Sequence, residues 1–190
     1  MSPSARQRIL DSAARLFYAY GVRAVGVDRV IAESGVAKAT LYKHFPGKGD
    51  LIVAYLDRVD DVWRGQLAEA AAAAGDDPRD RLVGAFDALV SATRRDGYRG
   101  CAFINTAGEC DPRGRVHART VAHKDAVREW LADLAAQAGA ADPDRLARAL
   151  SIILDGGLAA GALDGDPTAA AVAKSAAAAV VDAALRREDA

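Results

Sequence analysis

Residues 26–45 read GVDRVIAESGVAKATLYKHF, and the stretch divides at Gly35 into two short runs with helical spacing. Two helices that meet steeply across a three- or four-residue turn need a glycine or another small residue at the corner. They also need apolar residues to lock the pair, and Val30, Val36, Leu41 and Phe45 meet that need. The polar positions left over in the second run are Lys38, Thr40, Tyr42, Lys43 and His44. Hydroxyls and cations of this kind make the usual contacts to phosphates and base edges. The layout is that of a helix-turn-helix, which lays its second helix in the major groove of duplex DNA. Spacing alone also fits an ordinary amphipathic helix with a charged outer face.

Working outward, Ser4 and Gln7 have the form of a capping box that opens a first helix. Ile9, Ala13, Leu16, Phe17 and Tyr20 recur along it as one apolar stripe, and Gly21 ends it. The second helix is expected near Gly26 or Val27, with Asp28 favourably placed in its first turn. The third runs from about residue 37 to 44, and Pro46-Gly47 breaks the chain. A long helix then starts at Lys48, whose cation lies where backbone N–H groups already favour an anion. Leu51, Tyr55, Val59, Val62 and Leu67 supply its inward face.

Further on, one helix is expected from the 75–78 turn to about residue 95, with Leu82, Phe86, Leu89 and Val90 inward. A short apolar segment follows at 101–107, then a helix over 115–138 carrying Val116, Val127, Trp130, Leu131 and Leu134. Asp142-Pro143 and Asp166-Pro167 each place an N-cap aspartate before an N1 proline, opening the last two helices. The fold class is therefore all-α.

Composition agrees with this class. The 190 residues are 51% hydrophobic and 27% charged, which favours a globular chain over a disordered one. Abundant alanine, few aromatics and few prolines favour helix over sheet. No apolar run reads as the ~20 residues needed to cross a bilayer, and the opening residues lack a signal peptide's apolar core. A cytoplasmic protein without membrane contact is expected. The net charge of −1 divides into +4 over residues 1–50 and −5 over the remainder. A basic head on an acidic body suits a chain that grips phosphates at one end.

Residues 9–51 resemble the DNA-binding region of the TetR family of bacterial transcriptional regulators. The resemblance rests on ILDSAARLF at 9–17, Gly21, VDRVIA at 27–32, Gly35-Val36 and TLYKHFPGK at 40–48. Gly26 stands where that family often has Thr or Ser, and Ala37 where Ser is common. The resemblance implies an all-helical homodimer, usually a repressor, bound to a double-stranded DNA operator. It implies a helix-turn-helix head over residues 1–47 and a ligand-binding and dimerisation domain over 48–190. Position by position, Lys38, Thr40, Tyr42, Lys43 and His44 would contact DNA, and Lys48 would hold a phosphate.

The body divulges less. GCAFIN at 100–105, Glu109, His123-Lys124 and VREW at 127–130 resemble a recurrent subgroup pattern that specifies no ligand. For an unknown small-molecule effector the candidate wall is Trp63, Phe86, Tyr98, Phe103, Asn105, His117, His123 and Trp130. Each of these residues fits simple core packing equally well. Dimerisation is expected on the last helix pair, where Gly156, Gly157, Ala159, Ala160 and Gly161 allow close approach; Leu154, Gly157, Leu158, Gly161, Val180 and Val181 are its candidates.

Cys101 follows Arg94, Arg95 and Arg99, a setting that fits a redox or electrophile sensor, although an inert buried thiol is the favoured reading. His117 and His123 lie six apart rather than four, and with Cys110 they are too sparse for zinc, so no metal or cofactor is expected. An enzyme using Cys101 with either histidine lacks any accompanying phosphate loop or nucleophile elbow. A helical interaction protein without DNA binding would keep the fold and lose Lys38, Tyr42, Lys43 and Lys48, all of which are present.

Overall fold

The structure is a computed structural model that describes residues 3–166 and 168–186. Those residues form helices α1 (Ala5–Tyr20), α2 (Val27–Ser34), α3 (Lys38–His44), α4 (Lys48–Ala73) and α5 (Pro78–Gly84). They continue as α6 (Asp87–Thr93), α7 (Ala102–Glu109), α8 (Arg115–Gln137), α9 (Pro143–Leu163) and α10 (Ala169–Leu185), with no strand among the described residues. The chain divides into two compact units. One takes in the residues up to Asp61 together with Ala102–Ala122; the other takes in Val62–Cys101 and the residues from His123 onward.

In the first unit the local rules act as expected. The Ser4 hydroxyl accepts the Gln7 N–H at 3.2 Å and opens α1. Gly21 closes it at φ 86°, ψ 152°, a conformation that side chains oppose. Ile9, Leu16, Phe17, Val25, Val30, Leu41 and Phe45 are all buried, and the Phe17 and Tyr55 rings meet edge-on at 5.7 Å. Tyr20, expected in the apolar stripe, is instead 53% exposed, with the Arg29 guanidinium 4.1 Å above its ring.

The compact units do not part at residue 47. The first four turns of α4 are joined by ion pairs to α8 instead. Arg119 donates from Nε to Asp57 at 2.5 Å and from Nη2 to the buried Asp60 at 2.8 Å, while Arg115 pairs with Asp50. The Glu109 carboxylate, at the end of α7, accepts the Arg23 N–H at 2.6 Å. The segment expected only as an apolar stretch at 101–107 is the helix α7, with Phe103 and Thr106 buried. Arg58 holds the Asp11 carboxyl below the usual carboxylate range, and Arg115 does the same for Asp50.

In the second unit α10 packs along α9 and against α5 and α6. Leu67, Leu82, Phe86, Leu89, Leu131 and Leu150 lie at the centre of its core. The single helix expected to reach residue 95 is two, α5 and α6, parted at Ala85-Phe86. Residues 84–86, 88 and 89 are all buried, more than one face of a straight helix can present. Val62, expected inward, is 50% exposed. The Asp142 carboxylate caps α9 through the Arg145 N–H at 3.0 Å. The matching Asp166-Pro167 start does not recur. Pro167 lies outside the described residues, Thr168 precedes α10, and Asp166 accepts the Thr168 N–H and hydroxyl in a local turn.

By length and composition α9 is apolar enough to cross a bilayer, with a mean hydropathy of 1.5, contrary to the sequence expectation. Arg148 and Asp155 interrupt the run and concealed it; Leu146, Leu150, Leu154 and Leu158 are packed in the core.

The glycines of α9 do permit close approach, but inside this unit. A Cβ at Gly157 would lie 2.6 Å from Leu89 Cδ2 and 2.9 Å from Ala173 Cβ; one at Gly161 would lie 2.7 Å from Thr93 Cγ2. Of the expected dimer contacts, Leu154, Gly157, Leu158 and Val181 are buried, and Gly161 and Val180 are half-buried. The core of this unit takes up the four buried ones. Gly157→Ala should therefore lower stability by about 1–3 kcal/mol through overpacking. Gly65→Ala, at an open position in α4, should raise it by about 0.5–1 kcal/mol. Urea melts of the two variants check this, and shifts of the same sign would contradict the packing.

Candidate nucleic-acid interface

The α2–α3 corner is fixed from below. Gly35 adopts the left-handed conformation at φ 62° and donates its N–H to the Ile31 carbonyl. From α1, Arg8 Nη2 donates to the carbonyls of Ser34 and Gly35 at 2.6 and 2.8 Å. A cation thus meets the negative end of α2, where its last carbonyls lack helical partners. Nothing in the sequence pattern singled out Arg8 beyond its charge. Arg6 lies 5.4 Å above the Phe45 ring and covers the end of α3.

Held this way, α3 buries Leu41 and turns the rest of its surface outward. Lys38, Tyr42, Lys43 and His44 are exposed, and Thr40 is half-exposed. Lys38 Nζ lies 3.2 Å from Asp28 in a pair whose members are 65% and 85% exposed. Such a pair contributes ~0–1 kcal/mol and is readily traded for a phosphate. Lys48, half-buried at the start of α4, donates to the Arg23 carbonyl at 3.3 Å. It links the α1–α2 loop to α4 and stands beside α3 rather than on it. Neither Gly26 nor Ala37 makes a side-chain cap bond, so the first N–H groups of α2 and α3 stay open to an acceptor.

The residues expected to line an effector site are divided between the two units. Phe103, Asn105 and His117 belong to the first unit, where Phe103 lies beneath Arg119 and Asn105 is exposed. Phe86 sits in the second unit's core, Trp130 packs against that core, and the Tyr98 hydroxyl donates to the Leu158 carbonyl at 2.8 Å. Trp63 and His123 do line a cavity of about 280 Å³, between α4, α8 and α9 of the second unit. Its other walls include Lys124, Arg128, Arg148 and Ser151, which no sequence signal marked. The cation beside Cys101 is Lys124, 3.9 Å from the sulfur and paired with Asp155. Burial, aided by Glu109, pushes the Cys110 thiol up.

A short exposed polar helix, set by a glycine corner on a trihelical base, defines the class of helix-turn-helix DNA-binding modules. Residues 9–55 match the family of bacterial regulatory proteins, tetR family, and residues 78–177 match the tetracyclin repressor-like, C-terminal domain. The chain belongs to the TetR family of transcriptional regulators, which are not enzymes. It is similar to SCO4454, a TetR-family transcriptional regulator from Streptomyces coelicolor, at 39% identity and a TM-score of 0.83 over 96% of this chain and 94% of that one. A TetR regulator from Streptomyces avermitilis superposes at a TM-score of 0.86 with 27% identity, over 97% of this chain and 100% of that one. The HTH-type transcriptional activator FasR of Mycolicibacterium smegmatis is 32% identical over 66% of this chain and 58% of its own length. The regulator LmrA of Bacillus subtilis is 36% identical over 37% of this chain and 38% of its own length. The chain thus spans less than two thirds of these two curated relatives.

The geometry separates contact from scaffold. Tyr42→Ala with Lys43→Ala should leave the melting curve within about 0.5 kcal/mol of the parent, as surface changes do. The pair should weaken duplex binding at least tenfold and reduce its salt slope by ~1. Leu41→Ala should instead cost about 2–5 kcal/mol of stability. Fluorescence anisotropy at several salt concentrations, beside thermal melts, checks both.

Proposed function

We propose that this chain is a cytoplasmic, homodimeric, ligand-responsive repressor that holds a near-palindromic operator and releases it when a small molecule binds. The observation that carries the reading is α3 itself, with Lys38, Tyr42, Lys43 and His44 exposed on a helix anchored by buried Leu41. In this reading those residues and Thr40 contact bases and phosphates, and Lys48 exchanges the Arg23 carbonyl for a phosphate. Residues 1–47 form the reading head, and the remainder binds the effector and the second subunit.

Dimerisation is supported by residues other than those expected. Ile152, Gly156, Ala159 and Leu163 form an exposed stripe on α9; Val172, Ala176, Ala179 and Ala183 form another on α10. Both follow helical spacing and carry no charge, with Leu163 83% and Val172 64% exposed. Two-fold pairing of these stripes sets two α3 helices at successive major grooves, roughly 34–36 Å or a multiple apart. An effector shifts that spacing only by its difference in affinity between the two arrangements, ~1–3 kcal/mol of coupling.

Val172→Glu with Ala176→Glu should give a monomer by sedimentation and lower operator affinity at least a hundredfold, with folding retained. A variant that stays dimeric would remove these stripes from the interface. Operator selection from a random duplex library, followed by a reporter assay with and without the chain, tests repression. Failure to enrich any palindrome, or reporter output that rises when the chain is supplied, would refute the proposed function.

A further inference from the structure

The α8–α9 cavity carries chemistry that narrows its ligand. On α9, Arg148, Ser151, Ile152 and Asp155 fall on one face, one turn apart; on α8, Lys124, Val127 and Arg128 face them. Of the three cations in the wall, two are already matched: Lys124 pairs with Asp155, and Arg128 pairs with Asp125. Arg148, an exposed residue, makes no ion pair or hydrogen bond among the described residues, so it is the cation of the wall left free for a ligand. One turn along the helix, the Ser151 hydroxyl oxygen is shielded from solvent and has no hydrogen-bond partner. A buried hydroxyl left unmet costs about 1–3 kcal/mol, and native structures rarely retain one without a use. Trp63, Val127, Ile152 and Leu154 give the remaining wall an apolar character.

We propose that this cavity binds a compact organic monoanion, a carboxylate whose head bridges Arg148 and Ser151 and whose apolar body lies against Trp63 and Val127. The proposal rests on the ligand-responsive reading above and gives it a chemical class. Three features argue for it. One free cation calls for one negative charge, and a dianion would leave a second unpaired beside Asp155. A guanidinium and a hydroxyl one turn apart can both donate to the same carboxylate, and hydrogen bonds to a charged acceptor are the strong ones. The volume of about 280 Å³ lies at the small end of ligand pockets, which run ~300–1,000 Å³, so the body is compact.

The test uses the full chain and three acids: octanoate, 4-phenylbutyrate and indole-3-propionate. Each is titrated beside its primary amide and its amine analogue by calorimetry. At least one acid should bind tenfold or more tightly than its amide, with the amine weakest. Arg148→Gln should weaken that acid at least tenfold and leave the amide unchanged. Ser151→Ala should weaken it three- to tenfold, with both variants melting like the parent. The assignment is overturned if no acid binds, if an amide or amine binds as well as its acid, or if Arg148→Gln leaves the acid's affinity intact. Operator binding measured in parallel separates the two readings. A neutral compound that binds and releases DNA would sink the monoanion and keep ligand response. An acid that binds without changing operator affinity would do the reverse.

Discussion

A helix of seven residues has no independent stability in water, because nucleation costs more than so few hydrogen bonds return. Everything that α3 does therefore depends on what lies beneath it. Leu41 and Phe45 are buried beneath the outward-facing residues, and the Gly35 corner is clasped from α1 by Arg8. Burying two such side chains contributes about 1.5–3 kcal/mol each toward the cost of ordering the short helix. The exposed residues gain freedom from this arrangement. Because none of them holds α3 in place, they can be chosen for what they touch.

A second set of constraints gathers chain that is remote in sequence. Arg115, Arg119 and Glu109 all come from residues 102–122, and their partners Asp50, Asp57, Asp60 and the Arg23 amide come from the first sixty. Asp60 is buried, and Arg119 meets its charge; a buried charge without a partner would cost several kcal/mol. The exposed pairs contribute less individually. The Glu109 bond is different in kind, since its carboxylate oxygen lies where a Cβ at Gly21 would have to go, 2.4 Å away. That glycine serves the α1 terminus and the approach of α7 together.

What the sequence revealed, and what it concealed, follows from the range of each interaction. The Ser4 cap, the Gly21 and Gly35 stops and the Asp142-Pro143 start are local signals, and each lies within a few residues of its reading. The exposed face of α3 was legible for the same reason. The unit boundary, the Ala85-Phe86 break and the cavity wall were not, because each is decided by partners far along the chain. Arg148 reads as one more surface cation, and Ser151 as filler in an apolar helix. Their significance appears only once α8 is laid against α9. In the body, Phe86 and Phe103 are buried where the packing needs volume, and an aromatic residue at helical spacing serves a core and a ligand wall alike.

The small residues of α9 show how one composition serves two ends. Gly157 and Gly161 give room to Leu89, Ala173 and Thr93, while Gly156, Ala159 and Leu163 lie on the opposite side in the open. At 3.6 residues per turn, adjacent glycines point about 100° apart, so Gly156-Gly157 cannot serve one surface. The dipeptide that reads as a single smooth patch is two half-patches, of which the core has taken one. The other continues on α10 through Val172, Ala176 and Ala179, an uncharged ridge of a kind that a monomer rarely leaves uncovered. In the proposed homodimer, this is the surface on which the second copy would pack.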